Sequence, residues 1–205
     1  MLSAVPLFAF GGASLACVLI YILAWHDGVD PVRIILSGVA INTVLGAYNA
    51  FLQMLNSDNL SNVLAFMNGS LSGCNWEQIY VISAYSLIGL ICGFACIKSA
   101  NILQLGDEMA SGLGVNVSRV RILLSAVGAF LAAATVSVAG MIGFIGLVVP
   151  HIARMMVGSD YRALLPVSTL LGAFLLLAAD TLGRTLVTGM EIPVGIIMAA
   201  TGGPF

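Results

Sequence analysis

Long apolar runs without a charged side chain alternate with short polar segments along this chain of 205 residues. About 20 helical residues cross the roughly 30 Å hydrocarbon core of a bilayer. Uncharged runs near or above that length occupy residues 2–25, 34–55, 79–97, 122–149 and 163–179, and a last one begins at 192. The pattern predicts an all-α integral membrane protein, a polytopic helical bundle of about seven helices.

The two ends of the chain carry separate expectations. Met1 leads straight into the first run, without the basic segment and small-residue cleavage site that mark a signal peptide. We therefore expect residues 2–25 to be a retained helix. The last run is still apolar at Phe205, so we expect the chain to stop inside a helix.

The run 122–149 is too long for one ordinary span, since 28 helical residues extend roughly 42 Å. Gly140 and Gly143 are the positions where the backbone turns at least cost. A break there puts six of the seven Lys and Arg residues in loops on one side, and only Arg184 on the other. Basic residues are retained on the cytoplasmic side of a membrane, so the broken version fits better.

The break opens the sequence GMIGFIGLVVPHIAR, which is expected to form a turn and a short returning helix. Six of its residues are interpreted as structural: Gly140, Gly143, Gly146, Pro150, His151 and Arg154. The glycines would also permit close helix packing. Because ionisable groups at membrane depth are often functional, a proton relay or a ligand contact is the alternative for His151.

Composition and motifs exclude several classes of function. Only 8% of residues are charged, against roughly 25% in soluble domains. The seven basic and nine acidic residues are spread among the loops and give a net charge of −2, so nucleic acid binding has no support. Lys98 is the only lysine, and Ile97 stands where a phosphate-binding loop needs glycine. We expect no enzyme activity, no cofactor and no metal, with the four cysteines as apolar filler.

A polar stripe follows one face of the second run. Gly38, Asn42, Gly46, Asn49 and Gln53 recur at spacings of four, four, three and four, which places them on one side of a helix. Glycines and amides of this kind serve helix-helix interfaces in membranes. Three amides on one face equally suit the wall of a hydrated translocation path, and both interpretations stay open.

The segment LGDEMASGLGVNVSRVR lies between the third and fourth runs. Asp107 and Glu108 suit the first turn of a short helix, and Gly112 or Gly114 would end it. Asn116 can cap the helix that follows. The segment is either a solvated interfacial loop or a rigid knob presented to a cytoplasmic partner.

Four blocks in order resemble the permease subunits of the iron-siderophore, haem and vitamin B12 ABC importers, the FecCD family: LGDEMASGLGVNVSRVR, AGMIGFIGLVVPHIARMMVGSDYRALLP, AADTLGR and EIPVGIIMAATGGPF. The resemblance implies a ten-helix permease of the type II importer kind in the cytoplasmic membrane. It implies a homodimer or a paired permease within membrane lipid, two cytoplasmic ATPase subunits and an extracytoplasmic substrate-binding protein. The substrate would be an iron-siderophore complex, haem or cobalamin.

The resemblance also implies roles for particular residues. Residues 1–205 would form one incomplete permease domain, with 100–121 as its cytoplasmic coupling segment. The stripe Asn42, Gly46, Asn49 and Gln53 would border the pathway, and Arg184 would dock the binding protein. The ATPase-coupling residues would be Gly106, Asp107, Glu108, Met109, Ala110, Leu113, Gly114 and Val115.

Three alternatives remain beside that resemblance. Arg184 lies four residues after Asp180, so a local ion pair is the simpler interpretation of this arginine. An ion-gradient-driven secondary transporter would need a titratable relay at the midplane, and the first three runs contain no Asp, Glu, Lys or Arg. An inactive membrane remnant is suggested because the family's first third and the end of its last helix have no counterpart here.

Overall fold

The computed structural model describes residues 5–25, 31–55, 60–187 and 191–204. These ranges contain ten α-helices: α1 (Val5–Ala24), α2 (Pro31–Leu55), α3 (Leu60–Asn68), α4 (Trp76–Ala95), α5 (Ile97–Leu103), α6 (Asp107–Gly112), α7 (Val117–Ala139), α8 (Ile145–Val157), α9 (Tyr161–Thr185) and α10 (Val194–Gly202). Four of them, α2, α4, α7 and α9, are long and apolar enough to cross a membrane. The expected all-α polytopic bundle is confirmed.

Helix α7 lies at the centre of one half of the bundle, with α1 and α4 packed against it. The buried residues of α7 are small, among them Ala133, Ala134 and Ala139. Small side chains let helix backbones approach closely where lipid offers no hydrophobic drive for association. Phe10, Tyr85 and Phe130 fill the gap between the three helices, with ring centroids 5.6–5.8 Å apart.

The second half of the bundle is built on α9, against which α8 and α10 pack. Short α5 contacts both α7 and α9 and so lies between the two halves. Helices α5 and α6 lie at one end of the bundle, which we name the α6 end. Helix α3 and the start of α10 lie at the opposite end, beside the turn after α7.

The basic residues follow this division. Arg33 begins α2 and Arg154 ends α8, while Lys98, Arg119 and Arg121 lie in or beside the short α5 and α6 region. Together with Arg162 in the first turn of α9, these make six of the seven Lys and Arg residues. All six lie at the α6 end. A break within the run 122–149 therefore explains why six of the seven Lys and Arg residues lie at one end.

The predicted break falls at Gly140, but the second turn position is not the expected one. Gly140 caps α7 with φ +72°, in a region of backbone space that side chains rarely adopt. Phe144, not Gly143, has the second positive φ, at +65°. A Cβ at Gly143 or Gly146 would meet no atom of the described residues within 4 Å, so these two glycines make no close contact within this part of the chain.

Non-helical backbone at this turn is paired by its neighbours. The Met141 N–H donates to the Phe66 carbonyl at 3.1 Å, and the Gly195 N–H donates to the Gly69 carbonyl at 3.2 Å. A Cβ added at Gly140 would collide with the same Phe66 carbonyl oxygen. The turn therefore joins the ends of α3, α7 and α10 through direct backbone contact.

Gly140→Ala is predicted to destabilise the protein, because the left-handed backbone costs about 1–3 kcal/mol and the added Cβ meets the Phe66 carbonyl. The matched control is Gly143→Ala, three residues on, which should change stability by no more than about 0.5 kcal/mol. Unfolding of both variants in detergent, followed by circular dichroism, measures the difference. Equal stability of the two would contradict the turn described above.

Candidate functional site

The coupling segment predicted from the sequence folds as a short helix between two glycine turns. Gly106, with φ +97°, precedes α6, and Gly114, with φ +79°, follows it. Ala110 is completely buried, and its carbonyl accepts the Val115 N–H at 3.1 Å. The predicted glycine end of this helix is confirmed. The bond from Val115 to Ala110 holds the residues that follow α6 against the helix.

An ion pair fastens α6 to the first turns of α7. The Arg121 guanidinium donates to both carboxylate oxygens of Asp107, at 2.9 and 3.2 Å. Asn116 caps α7 as predicted, since its side chain accepts the Arg119 N–H at 3.0 Å. Both bonds from Arg121 come from one guanidinium nitrogen, and as charge-assisted hydrogen bonds they hold Asp107 close to α7.

The outer surface of this segment is apolar and acidic. Met109 is 65% exposed and Leu113 is 62% exposed, and Glu108 is exposed beside them. Exposed large apolar side chains on a braced helix are typical of surfaces that bind another protein. The segment therefore has the form of a knob, which the ion pair of Asp107 and the buried side chain of Ala110 hold in place.

A second polar cluster at the α6 end was not predicted. The Asn101 side-chain amide at the end of α5 donates to Asp160 Oδ1 at 2.7 Å, and its oxygen accepts the Tyr161 N–H at 3.0 Å. Gln104 donates to the Ser159 carbonyl at 2.9 Å. We name these contacts the α5–α9 clamp. The residues lie 55–60 positions apart, so no local sequence pattern could indicate them.

Asp160 is also the N-cap of α9. Its carboxylate accepts the backbone N–H of Arg162 at 2.9 Å. That bond, followed by the one from Asn101, holds the pKa of Asp160 below its ordinary value of 3.8. Both bonds favour the ionised carboxylate, and the small desolvation penalty opposes them.

The polar stripe of α2 lies largely outside the packing of the described residues. Gly38 and Gly46 have no atom within 4 Å of an added Cβ, and Asn42 is exposed. Near the end of the helix, the Asn49 and Gln53 amides donate to the Met67 sulfur at 3.5 and 3.4 Å. Within the described residues α2 packs mainly on α1, so most of the stripe faces away from this chain.

Arg184 lies at the opposite end and pairs locally, as its spacing suggested. Its Nε donates to Asp180 Oδ2 at 2.8 Å, and its guanidinium lies 3.9 Å from Glu191. Glu191 in turn accepts a hydrogen bond from the Ser72 hydroxyl. The side chain of Arg184 is still 46% exposed. We name these four residues the outer cluster.

The PHIAR block forms part of α8, as expected. Pro150 lies inside the helix, His151 is exposed, and Arg154 lies in the last turn. Pro150 falls six positions into α8, past the first turn where a missing N–H has no consequence. The short returning helix that was predicted for this block is therefore present.

These observations define the class: a polytopic, all-helical membrane protein with a braced knob at one end and an ion-pair cluster at the other. A model of the FecCD transport family matches residues 1–205. The chain belongs to the FecCD transport family. The resemblance noted in the sequence is confirmed.

Individual relatives give the same result. The chain is 41% identical over 97% of its length to the Fe(3+)-citrate import system permease protein YfmD of Bacillus subtilis, strain 168. It is 42% identical over 95% of its length to the hemin transport system permease protein HmuU of Yersinia pestis. It spans 60% and 58% of the lengths of these relatives.

A solved structure has the same fold over the whole of this chain. It is provisionally described as a metal-chelate type ABC transporter in an inward-facing conformation. The TM-score is 0.83 at 28% sequence identity, and the match covers 99% of this chain and 64% of the other. The helix order is therefore that of a known transporter architecture.

The ionised form of Asp160 is predicted to stabilise the α5–α9 clamp. Because its folded-state pKa is lowered, this contribution is present above the ordinary value of 3.8 and is lost as pH falls through the folded-state pKa. Asp160→Ala should thus lower the thermal unfolding temperature near neutral pH, with a difference from wild type that shrinks in acid. Ser159→Ala keeps the carbonyl that Gln104 uses and serves as the control. A difference that is independent of pH would refute the assignment.

Proposed function

We propose that this chain is the membrane-spanning permease part of an ABC importer that moves a ferric chelate across the cytoplasmic membrane. Two copies, or this chain and a related permease, would enclose the pathway. Two cytoplasmic ATPase subunits would supply the energy, and an extracytoplasmic binding protein would deliver the substrate. The chain itself would catalyse no bond chemistry.

The observation that carries this proposal is the geometry of α6. A permease driven by a separate ATPase needs a rigid element that the ATPase can push, because a flexible loop would absorb the displacement. The Asp107–Arg121 ion pair and the buried Ala110 hold α6 in place as such an element. Met109 and Leu113 of this segment remain exposed. We assign 100–121 as the coupling segment, in which Gly106 and Gly114 set the two turns and Glu108 faces the ATPase.

The polar stripe of α2 supports the pathway assignment. Asn42 and Gly46 face away from the described residues, where a second permease subunit would stand across a water-filled path. Uncharged amides solvate a large chelate without holding it as tightly as a fixed charge would. Asn49 and Gln53 would line the same path near its outer end, beside Met67.

Cobalamin is an alternative substrate, because a relative that is 42% identical to this chain is named for its import. The ferric-chelate class rests on two other relatives, which are named for Fe(3+)-citrate and hemin. Both are iron bound within an organic ligand, and an iron-siderophore complex belongs to the same chemical class. Arg184 supports the delivery step, since it remains partly exposed at the end of the bundle opposite the coupling segment. We assign it to docking of the binding protein.

Glu108→Lys is predicted to uncouple ATP hydrolysis from uptake, because it places a positive charge on the surface that would contact the ATPase. Gly114→Val should act similarly by straining the turn at φ +79°. A loss of coupling of this kind corresponds to about a tenfold or greater fall in uptake. Uptake of labelled ferric chelate and phosphate release are measured on the same proteoliposomes.

The matched control for this experiment is Glu77→Lys, which makes the same charge change in the first turn of α4, at the other end of the bundle. It should leave coupling intact. A cysteine probe at Met109 provides a direct measure, because it should become protected from a water-soluble thiol reagent when the ATPase binds. A probe that stays fully reactive in the assembled complex would reject the coupling assignment.

Gly46→Leu is predicted to block most uptake while leaving folding and ATPase binding unchanged. A Cβ at Gly46 meets no atom of the described residues within 4 Å, so the added side chain would extend from the stripe and narrow the pathway. Gly128→Leu on α7 is the control, since it also meets no atom within 4 Å. Similar uptake by the two variants would exclude the stripe from the pathway.

A further inference from the structure

The function proposed above assigns no role to the hydrogen bonds of the α5–α9 clamp, and their arrangement is specific. Asn101 uses both ends of its side-chain amide, one toward the Asp160 carboxylate and one toward the Tyr161 backbone. Gln104, one turn later on the same helix, holds the Ser159 carbonyl. Three hydrogen bonds thus join the end of α5 to the first residues of α9 and the loop before it.

Asn101 and Gln104 of the clamp belong to the coupling segment 100–121 and lie just before its short helix α6. Gln104 is the C-cap of α5, and Gly106 is the N-cap of α6. A single residue, Leu105, separates the two caps, and its N–H is bonded to the Ile102 carbonyl at 3.1 Å. A displacement of α6 therefore reaches Asn101 through less than two turns of hydrogen-bonded backbone.

Helix α9 runs from the clamp to the outer cluster. Its 25 residues extend roughly 37 Å, which is enough to cross the hydrocarbon core. At its far end Arg184 pairs with Asp180, and the Gly183 carbonyl accepts the Ile192 N–H at 3.1 Å. One helix thus connects the α6 end to the surface where Arg184 is exposed.

We propose that Asn101 and Asp160 are positioning residues that pass the displacement of the coupling segment to α9, and through α9 to the outer cluster. This inference rests on the proposed function, because it presumes that an ATPase moves α6. Helices α5 and α9 also contact each other beyond these bonds, and apolar packing of that kind is non-directional. A hydrogen bond to an ionised carboxylate is stronger and directional, and it fixes the register of the two helices.

The chain allows a test by exchange of donor and acceptor. Asn101→Asp alone places two carboxylates where an amide now donates to a carboxylate at 2.7 Å, so the clamp should open. Combining it with Asp160→Asn reverses the bond: the new amide donates to the new carboxylate, which still accepts the Tyr161 N–H. Asp160 Oδ1 accepts both the Asn101 amide and the Arg162 N–H, so the new side-chain amide must turn to point its nitrogen at the new carboxylate and its oxygen at the Arg162 N–H. The double variant should therefore close the clamp again.

Movement of the outer end is measured by the distance between spin labels at Trp76 and Leu186, which are exposed at the start of α4 and the end of α9. The four native cysteines are first replaced by alanine or serine. The protein is assembled with the ATPase with which it copurifies, and ATP is added. We expect a change in distance for wild type, loss of most of that change in Asn101→Asp, and its recovery in the double variant.

Protection of a cysteine at Met109 is measured on the same assemblies and separates the two proposals. If Met109 is protected in Asn101→Asp and the outer distance still changes as in wild type, the clamp proposal is overturned and the coupling segment stands. Failure of the double variant to recover, or a wild-type distance that never changes, would also overturn it. Unprotected Met109 in wild type refutes the proposed function itself.

Asp160→Asn alone is the variant to use if Asn101→Asp does not fold. Two neutral amides can still bond at this place, so folding should survive while the charge-assisted bond is lost. A reduced distance change supports the clamp, and an unchanged one overturns it. Lys98→Met, on the same short helix and outside the clamp, is the control for a general effect of altering α5.

Discussion

Backbone polar groups within a membrane must find partners inside the protein, because the hydrocarbon offers no water to bond them. At the turn after α7 this requirement is met by direct contact between backbone groups. Here the chain leaves helical geometry, and the Met141 N–H is paired by the Phe66 carbonyl at the end of α3. Only glycine at 140 allows the approach. The reversal of α7 into α8 depends on this contact, and with it the placing of six cations at one end of the bundle.

Much of the helical architecture could be predicted from the sequence, because lipid requires long apolar runs and glycines punctuate them. The end of α7 at Gly140 and the end of α6 before Gly114 both followed from local residue chemistry. Short α3 was not predicted, since its nine residues are too few to give a membrane-length signal. Phe144 was missed for another reason: a positive φ at phenylalanine is imposed by its surroundings and is not encoded in its own preference.

Polar contacts show the same division between local and distant information. The Asp180–Arg184 pair could be read from a spacing of four, and the Asn116 cap from its position before a helix. The bond between Asn101 and Asp160 joins residues 59 positions apart, on helices whose neighbourhood is set by packing. Such contacts enter only when the fold is known. They are also the contacts through which one part of a membrane protein can act on another.

The outer cluster has a consequence for how long a docked partner would stay. Arg184 already faces two carboxylates, so the three groups together carry one net negative charge. A carboxylate arriving from another protein must replace Glu191 beside the guanidinium, and the attraction gained is close to the attraction given up. Glu191 would keep its hydrogen bond to Ser72 and so stay close enough to pair with Arg184 again. An exchange so nearly balanced would favour brief residence of any acidic group that binds at Arg184.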